Sequence, residues 1–281
     1  MIIIKSIKEL RQWRTQQSGR VVFVPTMGAL HEGHLQLMID ARKIAGHEGR
    51  VVVSIFVNPL QFGPKEDFSK YPRELDDDAA KCESVGVDAI FAPDAGEMYP
   101  IDRSVIVLET KLSQVLCGAS RPGHFDGVCT VVSKFFNLVQ PDTAIFGKKD
   151  YQQLAIIKRM VCDLDVPVEI NGSETVRESD GLAMSSRNRY LNEAERQQAP
   201  AIRRALLLMK ESWAQGAHDA VELKSLFEEY LSEHAPLHRM DYIECVDRDT
   251  LEPLSEVNAN GLLVTAVFLG TTRLIDNLEI T

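Results

Sequence analysis

His31 and His34 stand three residues apart in the stretch Pro25-Thr26-Met27-Gly28-Ala29-Leu30-His31-Glu32-Gly33-His34, directly after the apolar run Val21–Val24. Three chemistries compete for such a pair. Zinc histidines on a helix usually stand four apart and need a further ligand, and no cysteine or carboxylate set accompanies these two. As structural residues they would cap a helix and fill space, which is the default for a single histidine. As phosphate ligands they suit their surroundings. Gly28 and Gly33 allow a ligand close to the backbone, and a helix N-terminus turns N–H donors and a positive dipole end toward an anion. Side chains three apart share one face of the first turn, so both imidazoles can donate to one polyphosphate. The spacing Gly28-x4-Gly33 has the look of a P-loop. However, His34-Leu35 occupies the place of the required Lys-Ser/Thr, and no GxGxxG dinucleotide signature is present.

Other polar groups follow other apolar runs. Val51–Val57 leads into Asn58-Pro59-Leu60-Gln61-Phe62. Thr143–Gly147 leads into Lys148, Lys149 and Asp150, with Gln153 one turn later, and Val166–Ile170 leads into Asn171 through Arg177. Adjacent lysines alone are most often a solvated pair; beside an anion site they suit a triphosphate. Met184-Ser185-Ser186-Arg187, between Gly181 and Arg189, reads either as a hydroxyl-rich linker or as a segment that closes over a nucleotide.

The elements that must position these groups alternate. Strands at 21–24, 51–57, 88–93, 143–147 and 166–170 are separated by helical patterns. One helix carries Leu35, Met38, Ile39 and Ala45; a surface helix closed by Gly86 covers 73–86; a buried helix spans 128–139. A fourth, over 149–164, places Leu154, Ile157, Val161 and Leu164 on one stripe. Near-continuous apolar strands alternating with helices predict an α/β domain: a doubly wound, Rossmann-like parallel sheet covered on both faces. In such sheets ligands bind outside the carboxyl ends of the strands. All four polar clusters fall there, so they are expected to converge on one crevice. Past residue 175 the pattern changes to two helices, roughly 192–215 and 218–234, and then strands around 240–247 and 262–275. This predicts a smaller C-terminal α+β domain, with residues 1–176 in the first domain and 177–281 in the second.

Composition is that of an ordinary globular chain of 281 residues, 44% apolar and 26% charged. A net charge of −10 supplies no basic field for a nucleic-acid backbone. No apolar stretch is long enough for a membrane span or signal peptide. Five scattered cysteines with no CxxC pair read as reduced packing residues of a cytoplasmic protein.

At the level of whole motifs the chain resembles a known family. HxGH in a first βα turn with a Met-Ser-Ser-Arg loop after the last strand is similar to the paired signatures of the nucleotidyltransferase superfamily, which includes the class I aminoacyl-tRNA synthetases. The longer strings PTMGALHEGH, SIFVNPLQF, GHFDGVCTVVSKFFNLVQPD, FGKKDYQQL and LAMSSRNRYL resemble the pantothenate synthetases over residues 20–192. The resemblance implies an ATP-dependent ligase that condenses pantoate with β-alanine through a pantoyl adenylate and releases AMP and pyrophosphate. It implies that Met27, Gly28, Ala29, Leu30, His31, Glu32, Gly33 and His34 line the ATP site, with His34 catalytic. Gly147, Lys148, Lys149, Asp150, Val176, Met184, Ser185, Ser186 and Arg187 would complete that site. Gln61 and Gln153 would hold pantoate, Gln61 lying also at the β-alanine position. Magnesium with the nucleotide, a homodimer, and a C-terminal domain acting as a lid are further implications. Two alternatives share these residues: an adenylyltransferase acting on a phosphorylated acceptor, and a nucleotide-binding regulator without catalysis. Two neutral glutamines speak against the first, since a phosphorylated acceptor would sooner meet arginines.

Overall fold

The computed structural model describes residues 1–63, 68–69 and 71–280. In chain order, β1 (Ile2–Ile4), α1 (Ile7–Thr15), β2 (Val21–Thr26), α2 (Glu32–Ala45) and β3 (Arg50–Ile55) come first. They are followed by α3 (Leu75–Ser84), β4 (Ala89–Phe91), α4 (Ala95–Met98), α5 (Cys117–Ser120) and α6 (His124–Val139). Then come β5 (Thr143–Gly147), α7 (Tyr151–Asp163), β6 (Glu169–Ser173), α8 (Glu193–Gln198), α9 (Ala201–Ala214) and α10 (Ala220–His234). The last elements are β7 (His238–Asp247), β8 (Gly261–Leu269) and β9 (Thr272–Glu279).

Six strands form a parallel sheet in the order β1-β4-β3-β2-β5-β6. From β2 the chain moves outward through β3 and β4, then returns through α6 to β5 on the other side of β2. The strand order therefore reverses at β2, the place where open α/β sheets bind ligands. Both faces are covered because successive side chains point to opposite sides. Val22, Val24, Val51, Val53 and Ile90 pack on Met38 and Ala41 of α2 and on Ala79 and Cys82 of α3. The other face carries Phe23 and Phe91, whose rings meet Phe135 of α6 edge-on at 5.5 and 6.3 Å between centroids.

Chain contacts divide the molecule into two compact units. One comprises Met1–Gln114, Arg121–Lys148 and Gln153–Glu174; the other comprises Val115–Ser120, Lys149–Gln152 and Thr175–Thr281. In the second unit β7, β8 and β9 form an antiparallel sheet. Leu206 and Met209 of α9 and Leu223, Phe227 and Leu231 of α10 share a core with Leu263, Val267 and Leu269 of β8. Two short inserts are bonded into this unit. Gln152 accepts from the Cys117 N–H at 3.0 Å and donates to the Val115 carbonyl at 2.7 Å. The Cys117 thiol lies 3.2 Å from the Tyr242 hydroxyl, with both terminal nitrogens of Arg273 at 3.5 Å. Asn277 donates to the Lys149 carbonyl at 3.0 Å.

Several expectations need correction. β1 was not expected: three apolar residues are too few to show periodicity, and pairing with β4 makes the strand. β6 begins at Glu169, so Asn171–Ser173 lie inside it rather than after it. The helix expected over 192–215 breaks at Pro200 into α8 and α9, because a proline inside a helix removes an N–H and crowds the preceding turn. On α7 the buried stripe is Leu154, Ile156, Ile157 and Met160; Leu164 falls past its end and is exposed. α3 is the expected surface helix, with Asp76, Asp77, Ala80, Glu83 and Ser84 exposed, and its inner face buries Asp78, Ala79 and Cys82. Among the described residues no helix is long and apolar enough to cross a membrane.

Candidate active site

β2 ends at Thr26, whose hydroxyl donates to the Ser54 carbonyl of β3 at 2.7 Å. The chain then turns sharply through Gly28 and Ala29, at φ +81° and +51°. Only glycine suits the first of these positions: a Cβ there would lie 2.9 Å from Asp78 Oδ2 and 3.0 Å from Ile55 Cγ2. His31 follows as the N-cap of α2 in extended conformation. Its Nδ1 accepts the Gly33 N–H at 3.1 Å, and His34 Nδ1 accepts the His31 N–H at 3.3 Å. The rings lie 4.0 Å apart between centroids, tilted by 41°. A neutral imidazole that accepts at Nδ1 carries its proton at Nε2. The capping geometry thus fixes both tautomers as Nε2 donors, and the pair caps the helix.

The Ala29 and Leu30 N–H groups point elsewhere. Both bond the carboxylate of Asp78, at 2.9 and 2.8 Å, and Lys81 donates to the Leu30 carbonyl at 2.9 Å. Ala29 and Leu30 are themselves buried. Burial pushes the Asp78 carboxyl above its ordinary pKa, opposed by those two N–H bonds and by the charge of Lys81.

Gln61 closes a short 3₁₀ turn, Pro59–Gln61, capped by Asn58. Asn with proline after it is a favourable way to open a helical turn. Asn58 is 1% exposed, and four bonds settle its orientation. Its Oδ1 accepts from the Leu60 N–H at 3.2 Å and from the Tyr99 hydroxyl at 2.8 Å. Its Nδ2 donates to the Gly127 carbonyl at 3.0 Å and to Gln61 Oε1 at 3.1 Å. Burial keeps the Tyr99 phenol protonated by raising its pKa. Gln61 Nε2 donates toward Met27 Sδ at 2.8 Å, while the Gln61 carbonyl accepts from His124 Nδ1 at 2.8 Å. The turn packs against α6 where Gly127 has no side chain; a Cβ there would lie 2.4 Å from the Leu60 carbonyl. Gln61 is therefore oriented by a buried polar network around Asn58, and Gln61 and Met27 are brought together.

Gly147 ends β5, and Lys148–Asp150 form a 3₁₀ turn leading into α7. Lys148 pairs with Glu174 at 2.5 Å, and Lys149 lies 3.9 Å from Asp150. Gln153 is half-buried in the first turn of α7. In the second unit, Val176 and Met184 face each other across a hairpin, the Met184 N–H donating to the Val176 carbonyl at 3.0 Å. Arg177 and Ala183 pair antiparallel, and Ser185 caps a 3₁₀ turn over Ser186–Tyr190 by accepting the Arg187 N–H at 3.2 Å. Asn188 braces the hairpin through Glu178 at 2.7 Å and the Ala183 carbonyl at 3.1 Å. The segment read as a loop is thus a braced hairpin and turn. Arg177 also forks onto the buried carboxylate of Asp276, at 2.7 and 2.9 Å.

The sequence names Asn58 within the polar cluster after β3 without its buried role, and gives no sign of Asp78, Tyr99, His124 or the Arg177–Asp276 pair in the site. Asn58-Pro59 carried a legible cap signal. Asp78 is one of three consecutive aspartates in a first helical turn, and nothing in the run marks which of them is buried.

An open parallel sheet with a histidine-capped helix at its order reversal, together with a Met-Ser-Ser-Arg turn, defines an ATP-binding enzyme of the HxGH class. Comparison with known proteins narrows this class. Residues 2–279 match the family model for pantoate-beta-alanine ligase. The pantothenate synthetase of Akkermansia muciniphila is 54% identical over 265 residues, covering 94% of each chain. That of Neisseria meningitidis serogroup C is 53% identical, covering 100% of this chain and 99% of its own. The crystal structure of pantothenate synthetase from Thermus thermophilus superposes with a TM-score of 0.93 at 48% identity, covering 100% and 99% of the two chains. A Francisella tularensis pantoate-beta-alanine ligase, complexed with beta-gamma ATP and beta-alanine, gives a TM-score of 0.82 at 32% identity, covering 100% and 98%. The chain belongs to the pantoate-β-alanine ligase family, ATP-dependent ligases of pantothenate biosynthesis.

Proposed function

We propose that this chain joins pantoate to β-alanine in two steps at the carboxyl end of its parallel sheet. The pantoate carboxylate attacks the α-phosphorus of ATP, forming a pantoyl adenylate as pyrophosphate leaves. The β-alanine amine then attacks the acyl carbon, giving up a proton and expelling AMP. The carrying observation is the reciprocal cap of His31 and His34, which fixes two Nε2 donors at the switch in strand order. Negative charge grows on the α-phosphate and on the leaving pyrophosphate, and donors fixed in advance lower that barrier without reorganising. Lys148 and Lys149 add ammonium charge at the adjacent strand end. Gly147 and Asp150 line the nucleotide site beside them. Val176 and Met184–Arg187 belong to the part from 177 to 281 and its immediate approach, which serves as the lid. Gln61 and Gln153 hold pantoate, since amides offer donors and acceptors without charge.

Magnesium accompanies the nucleotide in this reading. Among the described residues no three His, Cys, Asp or Glu side chains gather. Such an ion usually keeps several waters and is held mainly by phosphate oxygens. A homodimer and a cytoplasmic setting belong to the same reading. The exposed apolar residues Ile101, Val105, Ile106 and Leu108 offer a second copy something to cover, and five free thiols suit a reducing compartment.

Labelled pyrophosphate should exchange into ATP when pantoate is present and β-alanine absent, and adding β-alanine should yield AMP, pyrophosphate and pantothenate. Exchange that strictly requires β-alanine, or pyrophosphate release without free AMP, would overturn the scheme. The second outcome would instead mark an adenylyl transfer.

The two glutamines give a separate prediction. Gln61→Ala or Gln153→Ala strips a partner from pantoate, costing on the order of 1–3 kcal/mol per lost interaction. Titration calorimetry should find pantoate affinity reduced and ATP affinity, measured without pantoate, little changed. A Gln153→Ala protein that loses ATP and keeps pantoate would misplace the acid-binding site.

A further inference from the structure

Two consecutive residues of the turn before His31, Gly28 and Ala29, have left-handed backbone. For the alanine this conformation is unfavourable, so its surroundings must impose it. Those surroundings come from α3. Asp78 Oδ2 accepts the Ala29 N–H and Oδ1 accepts the Leu30 N–H, so both oxygens of one carboxylate are committed to successive peptides of the turn. Three residues on, and so on the same face of the helix, Lys81 donates to the Leu30 carbonyl at 2.9 Å. α3 thus grips the donors and the acceptor of one short stretch. Asp78 is 0% exposed, and its Oδ2 lies where a Cβ on Gly28 would be crowded. The carboxylate is seated flush on the bend, with no room for the turn to settle toward it. The peptide leaving Leu30 is the one that enters His31, the cap on which His34 also hangs.

We propose that Asp78, assisted by Lys81, is a positioning residue for the adenylation step: it imposes the left-handed turn that aims the two histidines at the phosphates. Asp78 touches no substrate; it acts through the backbone of Ala29 and Leu30. The inference rests on the reading of His31 and His34 as phosphate donors. A buried carboxylate is a costly way to secure a helix, and this one is spent entirely on backbone N–H groups at the mouth of the histidine turn.

The test is pantoate-dependent exchange of labelled pyrophosphate into ATP, with thermal unfolding run in parallel on D78N, D78A, K81M and C82A. In D78N one N–H keeps an acceptor while the other faces an amide donor, which shifts the turn by a fraction of an ångström to an ångström. A misplacement of that size can lower a rate by about 10²-fold. The expected result is a fall of that order in kcat for exchange, with the pantoate KM unmoved and the protein folded. K81M should fall in the same direction by less. C82A is the control: Cys82 lies on the same helix, and its thiol bonds Met38 Sδ at 3.8 Å rather than the backbone of the turn. It should lower the melting temperature and leave kcat intact. Should D78A fail to fold, the near-isosteric D78N still decides. A folded D78N enzyme with wild-type kcat would overturn the positioning role. So would a D78N loss that C82A reproduces at equal destabilisation, since that assigns Asp78 to stability alone. Absence of exchange in the wild-type protein would remove the proposed function, and the positioning role with it, and is seen before any variant is compared.

Discussion

His34→Ala should retain its fold and lose adenylation by roughly 10²–10³-fold, the loss expected when one fixed donor to a developing anion is removed. The ring is half-buried in the first turn of α2, so little core is lost with it. In the cap it serves as acceptor for the His31 N–H, at 3.3 Å, a bond that water can replace at an open helix end. Circular dichroism should therefore be near normal while pyrophosphate exchange collapses. His34→Asn is the informative companion, because an amide oxygen can take over the cap but its nitrogen does not reproduce Nε2. Recovery of exchange by Asn would mean that the cap alone matters, and near-normal exchange in a folded His34→Ala protein would make the histidine structural.

Arg177→Ala should be the most damaging change to stability, at about 3–5 kcal/mol. Arg177 holds Asp276 through two parallel bonds, and the Asp276 side chain is 4% exposed. Removing the guanidinium leaves a buried carboxylate without its fork, which costs far more than the pair contributes net. Arg203, half-buried nearby, has its pKa lowered first by burial and then by the charge of Arg177, while Asp276 opposes the shift. It can partly compensate, which favours the lower end of the range. Denaturant unfolding at neutral pH measures the loss directly. Replacing both partners, Arg177→Met with Asp276→Leu, should recover much of it, because neither charge then remains buried alone. A single variant within about 1 kcal/mol of wild type, on the order of a surface ion pair, would show that Asp276 finds another partner.

How much of this was legible in sequence depends on the range of the interaction. The βαβ alternation, the histidine turn after β2 and the amide after β3 are local signals, readable from apolar runs and glycine placement. The family strings added names and roles to them. Asp78 could not be read, since its burial is decided by α3 docking beside a turn about 50 positions earlier. Asn58 was visible as a cap, yet its partners Tyr99 and Gly127 lie 41 and 69 residues away. β1 is only three residues long, shorter than any periodicity can reveal, and exists through its pairing with β4. Pro200, by contrast, is a purely local signal, and it splits the long helical stretch into α8 and α9. The hairpin from Val176 to Met184 was hidden because its composition is that of a linker, whereas its order comes from Asn188 and from Arg196, which pairs with both Glu178 and Asp180.

The chain passes between its two compact units five times, at 114/115, 120/121, 148/149, 152/153 and 174/175. For anyone cutting or grafting this protein, the seam near residue 175 is therefore not a place where the halves come apart. A fragment starting there would carry Tyr242 and Arg273 without the Cys117 thiol they surround, and Asn277 without the Lys149 carbonyl. Half-buried polar groups deprived of partners in this way destabilise the piece that holds them. A chimera between two relatives made with one crossover would join inserts from one parent to a sheet from the other. Exchanges that move 115–120 and 149–152 together with the C-terminal portion keep those partners in one lineage, and they are the recombinants that should survive.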